Sequence, residues 1–146
     1  MIEIRKVSPE MTYPLRHRIL RPSQPIEESM YDSDHKEGTF HVGAFSEDKL
    51  ISVATFIPDS NPAFTAKKQY RLRQMATLEN YRKKGAGSAI VQYAEEYIRE
   101  LGIHVLWCKG RTSVQEYYRK MGFEAYGEVF DYPPIGPHII MYKELK

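Results

Sequence analysis

The clearest periodicity in the chain follows Ser88. Ala89, Ile90, Tyr93, Ala94, Tyr97, Ile98 and Leu101 fall on one helical stripe, with Gln92, Glu95, Glu96, Arg99 and Glu100 on the opposite side. Gly102 supplies the helix stop. Elsewhere the shorter period of strands dominates. Residues 2–8 alternate apolar and polar, residues 39–46 and 50–57 read as strands joined by Glu47-Asp48-Lys49, and residues 69–78 form a long polar strand. The run His104-Val105-Leu106-Trp107-Cys108 is short and apolar, the pattern of a buried, parallel-compatible strand. Further helices are expected at 12–20, with Leu15, Ile19 and Leu20 inward and Arg16, Arg18 and Arg21 on a solvated side, and at 112–121, stopped by Gly122. The acidic stretch 22–38 is irregular, with a helical turn around residues 26–30, and 58–66 is a loop punctuated by prolines. The last strands cover 125–130 and 138–144, separated by the Pro133-Pro134-Ile135-Gly136-Pro137 loop. This order describes a mixed sheet with helices packed on its faces, an α/β layered domain.

Composition narrows the function classes. At 146 residues the chain is expected to form one domain, residues 1–146, with a core that needs no staples. A net charge of +2 is too small to argue for a nucleic-acid partner. The single cysteine, Cys108, excludes an intramolecular disulfide and suits a reducing compartment. The N-terminus Met1-Ile2-Glu3-Ile4-Arg5-Lys6 lacks the apolar run of a signal peptide, and no apolar run is long enough to span a membrane. A cytoplasmic protein with no membrane partner is the expectation. The carboxylates and His35 between Asp32 and Glu37 have no metal-ligand spacing, so no metal is expected.

The chemistry concentrates at Arg82-Lys83-Lys84-Gly85-Ala86-Gly87-Ser88, where the polar strand gives way to the amphipathic helix. Two glycines one residue apart let the backbone curl and bring successive amides toward a ligand. The helix start adds unpaired N–H donors and a positive dipole end, so the turn suits an anion. A nucleotide-hydrolysing loop would need Gly-Lys-Ser/Thr at the right spacing, and a dinucleotide fingerprint a third glycine near Ile90; neither is present.

The pattern that fits, Arg82-x-x-Gly85-x-Gly87, resembles the acyl-CoA pyrophosphate loop of the GNAT superfamily of N-acetyltransferases. Tyr118-x-Lys120-x-Gly122-Phe123 is similar to the closing motif of the same superfamily, at the separation the family requires. Leu72-Arg73-Gln74-Met75-Ala76-Thr77, Leu106-Trp107-Cys108 and Ile135-Gly136-Pro137-His138 resemble its single-domain bacterial branch. The resemblance implies a mixed, mostly antiparallel sheet of about seven strands with about four helices, and acetyl-CoA as co-substrate. The reaction it implies is direct transfer of an acetyl group to an amine of a small molecule or protein. Homodimers are frequent in the family, so a homodimer is a further expectation. A non-catalytic acyl-CoA-binding module of the same fold is the alternative reading.

By position in the family pattern, the amides of Met75 and Thr77 would meet the pantetheine arm, next to a bulge in their strand. Lys83, Lys84, Gly85, Ala86, Gly87 and Ser88 would hold the pyrophosphate, with Arg82 and Lys83 adding charge. Tyr118 would be the acid for the leaving thiolate; helical spacing with Val114, Tyr117 and Met121 gives it a core role instead. The strand at 69–78 lacks the carboxylate that family members often use as base. His138 is the substitute, and His41 a second candidate facing the substrate, with a structural hydrogen-bonded role open for both. Arg111 stands where an asparagine is usual and would reach the cofactor or a substrate carboxylate, or else cap a sheet edge. Arg73, in the middle of a strand, would bind an acidic group on the substrate if it faces the cleft, or point to solvent if it does not.

Overall fold

The computed structural model describes residues 2–132 and 136–145. Its seven-stranded sheet runs β1-β2-β3-β4-β5-β7-β6. The strands are β1 (Ile2–Val7), β2 (Phe40–Ser46), β3 (Lys49–Pro58), β4 (Tyr70–Thr77), β5 (Val105–Arg111), β6 (Glu124–Tyr132) and β7 (Gly136–Glu144). All neighbours are antiparallel except β4 and β5, which run parallel. Of the loop expected over 133–137, residues 133–135 lie outside the described residues, and Gly136 and Pro137 already belong to β7.

Three α-helices are present among the described residues, rather than about four: α1 (Pro9–Leu20), α2 (Ala86–Glu100) and α3 (Gln115–Lys120). The turn expected around 26–30 is 3-10, Ile26–Ser29, with a second at Asp32–His35. Pro22 and Pro25 remove amide donors there, and too few residues remain to repay the nucleation of an α-helix. α1 starts earlier than its apolar pattern, because Ser8 caps it through the Met11 amide and Pro9 takes the first helical position.

The two sheet faces have different covers. Phe40 and Phe56, cross-strand partners, stack at 5.2 Å, and Phe40 meets Tyr97 of α2 edge-on at 4.6 Å, so this face is roofed by α2. Ile90, Val91, Ala94 and Ile98 fill the interface. Two positions depart from the expected pattern, one in α2 and one at its C-cap. Leu101, at the helix end, is 49% exposed, and Glu95 is buried. The carboxylate of Glu95 survives burial because Lys143 of β7 donates to it at 2.7 Å, and Arg99 lies 3.7 Å away. Lys143 also donates to the carbonyl of Met121 at 2.7 Å. A Cβ on Gly122 would lie 2.9 Å from the Lys143 side chain, which explains a glycine at the end of α3, where φ is +96°.

The opposite face is covered by α1 and the 22–38 segment, and its centre is polar. Arg16 is fully buried, not solvated. It makes a two-pronged ion pair with Asp34 (2.7 and 2.8 Å) and donates to Thr55 Oγ1 (2.7 Å) and the Ser29 carbonyl (2.9 Å). Burial alone would raise the Asp34 pKa. The Arg16 hydrogen bonds and charge, with the Tyr31 amide, outweigh it and hold the carboxyl below its ordinary value. One guanidinium therefore bolts two 3-10 turns to the sheet.

Replacing Arg16 with Met should cost about 3–5 kcal/mol of unfolding free energy, because Asp34 would be left charged and buried. Denaturant titration of Arg16→Met beside the double variant Arg16→Met/Asp34→Leu checks this; the double variant should recover most of the loss.

Candidate active site

β4 and β5 share only two pairs, Tyr70↔Leu106 and Arg71↔Trp107. Beyond them the strands diverge, so from Leu72 onward the edge of β4 that faces β5 has no strand partner. A bulge on the other edge deepens the break. Val53 pairs with Ala76 and Thr55 with Arg73, which leaves Gln74 and Met75 opposite Ala54, and Gln74 sits at φ +56°. The parallel pair is thus a V, closed at Tyr70 and open toward Thr77 and Arg111.

The start of α2 lies across this opening. Gly85 caps the helix in the left-handed region (φ +84°) with no side-chain cap, and the first helical bond from this turn is Ala89 N–H to the Gly85 carbonyl at 3.0 Å. The amides of Ala86, Gly87 and Ser88 precede that bond and carry the partial positive charge of the helix end. Arg82, Lys83 and Lys84 are exposed beside them, and Lys83 shares the left-handed backbone (φ +63°) that turns the chain into the helix. Gly87 is fixed by contact: an added Cβ would fall 1.9 Å from the Tyr117 hydroxyl and 3.5 Å from Met75 Sδ. Tyr117 donates to that sulfur at 3.4 Å, linking α3, the helix start and the β4 bulge. The sequence pattern puts Tyr117 only on a helical stripe. Its place against Gly87 depends on a crossing of elements that no local pattern encodes.

Tyr118 approaches from α3 on the same side. Its ring packs over Gly110 of β5, where a Cβ would meet it at 3.3 Å, and stands edge-on to Tyr117 and Phe123 at 5.4 and 5.8 Å. Burial first, then Cys108 and Tyr117, raise its phenol pKa above the ordinary 10, with Arg111 pulling the other way. Burial pushes the thiol of Cys108, also on β5, up to about 12, so it stays protonated and non-nucleophilic at neutral pH.

The remaining candidates sit on the α1 face. Cross-strand pairs His41↔Thr55 and Thr55↔Arg73 put these three side chains in one row. His41 is built into the Arg16 network. One ring nitrogen bonds Thr55 Oγ1 at 2.7 Å and the other the Asp34 carbonyl at 3.1 Å. Burial lowers its pKa against the opposing pull of Asp34, favouring the neutral ring. Arg73 is half-buried, 5.6 Å from the Tyr31 ring. Arg111 and His138 are cross-strand partners beyond the V; His138 is buried, with Nδ1 2.9 Å from the Gly136 carbonyl and its ring 6.0 Å from Phe130. The structure brings Met75, Thr77, residues 82–88 and Tyr118 around one opening. It sets His41 back inside the fold, behind Thr55. Among the described residues no group of three His, Cys, Asp or Glu side chains could hold a metal ion, and no helix is long and apolar enough to cross a membrane.

The bulged strand, the V and the uncapped helix start fit an extended ligand carrying a pyrophosphate, such as coenzyme A. Comparison with known proteins points the same way. The chain is 50% identical over 146 residues to a Bacillus subtilis protein named as the uncharacterized N-acetyltransferase YitI, covering 100% of this chain and 98% of that one. The fold superposes with a TM-score of 0.80 on FeeM, an N-acyl amino acid synthase from uncultured soil microbes (14% identity, 99% and 91% coverage). An aminoglycoside 6′-N-acetyltransferase complexed with coenzyme A superposes at 0.72 (18% identity, 99% and 97% coverage). Residues 6–123 match the acetyltransferase (GNAT) family, and the chain belongs to it.

Proposed function

We propose that this acetyl-CoA-dependent N-acetyltransferase works by direct transfer within the V between β4 and β5, its donor held on the α2–α3 side and its amine entering from the α1 side. The observation that carries this reading is the coincidence of three devices at one opening: a strand edge without a partner, a bulge, and a helix start without a side-chain cap. The thioester of the donor supplies an acyl group already activated toward amines and a thiolate as leaving group.

The chain's own residues supply positioning and proton control. The amides of Lys83 through Ser88 would hold the pyrophosphate, with Arg82, Lys83 and Lys84 adding exposed positive charge. The free edge of β4 at Met75 and Thr77 would take the pantetheine arm as a strand takes its neighbour. A β4 amide aimed at the thioester carbonyl would stabilise the oxyanion as the amine attacks, an effect worth about 3 kcal/mol where comparable donors have been removed. Tyr118 would hold the proton for the departing sulfur, and its raised pKa keeps that proton in place across the neutral range. His138 would accept the proton of the incoming ammonium, near Arg111 at the open end. His41, with both ring nitrogens engaged, would act by holding Thr55 and Asp34 in place. A protonated Cys108 has no part as an acyl carrier, which favours direct transfer over a covalent intermediate.

Gly87→Val should abolish coenzyme A binding in a calorimetric titration, because the side chain would drive Tyr117 off Met75 and reshape the helix start. An unchanged Kd would remove this turn from the donor site. Tyr118→Phe should lower kcat by about a hundredfold with the acetyl-CoA KM nearly unchanged, the size expected for loss of a general acid. In the unsubstituted enzyme kcat should show no alkaline fall until well above pH 10, because an acid fails only above its own pKa. An undiminished rate in Tyr118→Phe returns the residue to a packing role.

A further inference from the structure

We infer that the amine acceptor carries a carboxylate, bound by Arg73 with help from Arg21 at the mouth of the α1 face; the inference rests on the transferase reading above. Arg16, Arg21, Arg71 and Arg73 gather around Tyr31 and Trp107 on this face, and two of the four are already neutralised. Arg16 is paired with Asp34 at 2.7 Å, and Arg71 with Asp59 at 3.5 Å while lying over the Trp107 ring at 4.9 Å. Arg73 and Arg21 have no carboxylate within ion-pairing distance among the described residues. Both converge on one aromatic ring. The Arg73 guanidinium is 5.6 Å and that of Arg21 5.9 Å from the centre of Tyr31, and Arg21 Nε donates to the Tyr31 hydroxyl at 2.9 Å.

That arrangement is costly unless an anion completes it. Both side chains are half-buried, so neither charge is fully hydrated, and two like charges gathered at one ring repel. The surroundings offer no relief from the strands, since β2, β3, β4 and β5 contain no Asp or Glu. Strand alternation puts Lys109 and Arg111 of β5 on the same face as Trp107, and hence as Arg71 and Arg73. On the acceptor side of the V, β4 and β5 thus present basic side chains and no carboxylate of their own. A neutral amine offers these two guanidiniums no charge to pair with. An amine with a carboxylate presents two oxygens to the guanidinium fork while its nitrogen points toward the opening. The Arg16–Asp34 bolt sets the geometry. It holds the 3-10 turns on either side of Tyr31, so the ring that orients both free arginines is fixed by the buried pair.

Primary amines sharing one skeleton, and differing only in a carboxylate, a carboxamide or a phosphonate, provide the test. Thiol release at saturating acetyl-CoA is measured for each, and the same amines are titrated calorimetrically into coenzyme-A-loaded protein. The carboxylate member should exceed the carboxamide in kcat/KM by about tenfold or more, as a charge-assisted hydrogen-bonded contact implies. Arg73→Gln should bring that ratio to about one, Arg73→Lys should leave an intermediate ratio, and Arg21→Gln should lower it by less, all with the acetyl-CoA KM unchanged. A ratio that persists in Arg73→Gln, equal use of the carboxamide by the unsubstituted enzyme, or preference for the phosphonate would overturn the inference. If no amine releases thiol, calorimetry decides. Carboxylate-selective binding lost in Arg73→Gln keeps the subsite and discards the transfer chemistry assigned above, whereas absence of selective binding discards the subsite.

Discussion

The separation of β4 from β5 after two residue pairs is the constraint on which the rest of the site depends. A sheet that kept pairing through Thr77 and Arg111 would satisfy its own amides and leave nothing for a ligand. Here the parallel pair opens, and the β4 bulge withdraws Gln74 and Met75 from the regular ladder on the other side as well. Backbone groups that would ordinarily be occupied within the sheet are left without a strand partner. The parallel direction of this one pair follows from the crossover through α2, and the start of α2 necessarily arrives where the V is widest. The uncapped amides of a helix start and a free strand edge are brought together by connectivity, before any side chain is considered.

Side chains then give the two sides of the V different characters. On the α2–α3 side the surroundings are aromatic and apolar. Tyr118 over Gly110, Tyr117 against Gly87 and the buried thiol of Cys108 make a place where a phenol keeps its proton. On the α1 side the surroundings are polar and charged, with strand arginines beneath the acidic 22–38 segment, organised by a buried ion pair whose partners lie 18 residues apart. Burying Arg16 and Asp34 carries a desolvation cost comparable to the attraction between them, so the pair is better understood as a device that fixes the position of the 22–38 segment than as a source of stability. On the proposed reading, proton chemistry and acceptor recognition would be tuned on separate surfaces of one sheet.

Much of this was legible in the sequence. The apolar stripe of α2, the alternating strands and the glycine pair at 85 and 87 each state a local backbone preference, and local preferences survive folding. Tyr118 with Gly122 and Phe123, at a fixed distance from the glycine pair, pointed to the family. What escaped was nonlocal. Arg16 shares an inward stripe with Thr12, Leu15 and Ile19, so its spacing carried a signal, but an arginine there reads as solvated until Asp34 is known to reach it. Glu95 reads as solvent-facing for the same reason, its partner Lys143 being 48 residues away. The 22–38 segment was irregular by pattern and remains without an α-helix, yet hydrogen bonds to Arg16 order it. The relation of His41 to Thr55 and Asp34 could be drawn only once β2 and β3 were in register.

The central claim is that the donor occupies the V formed by β4, β5 and the start of α2. Backbone amide chemical shifts, followed by NMR as coenzyme A is titrated into the isotope-labelled protein, test it most directly. The account predicts the largest changes at Met75, Thr77, residues 83–88 and Gly110. The surface around Phe64, Tyr126 and Tyr142 at the other end of the sheet should stay unperturbed. Shifts concentrated on that aromatic surface, with the β4 bulge and the α2 start silent, would contradict it.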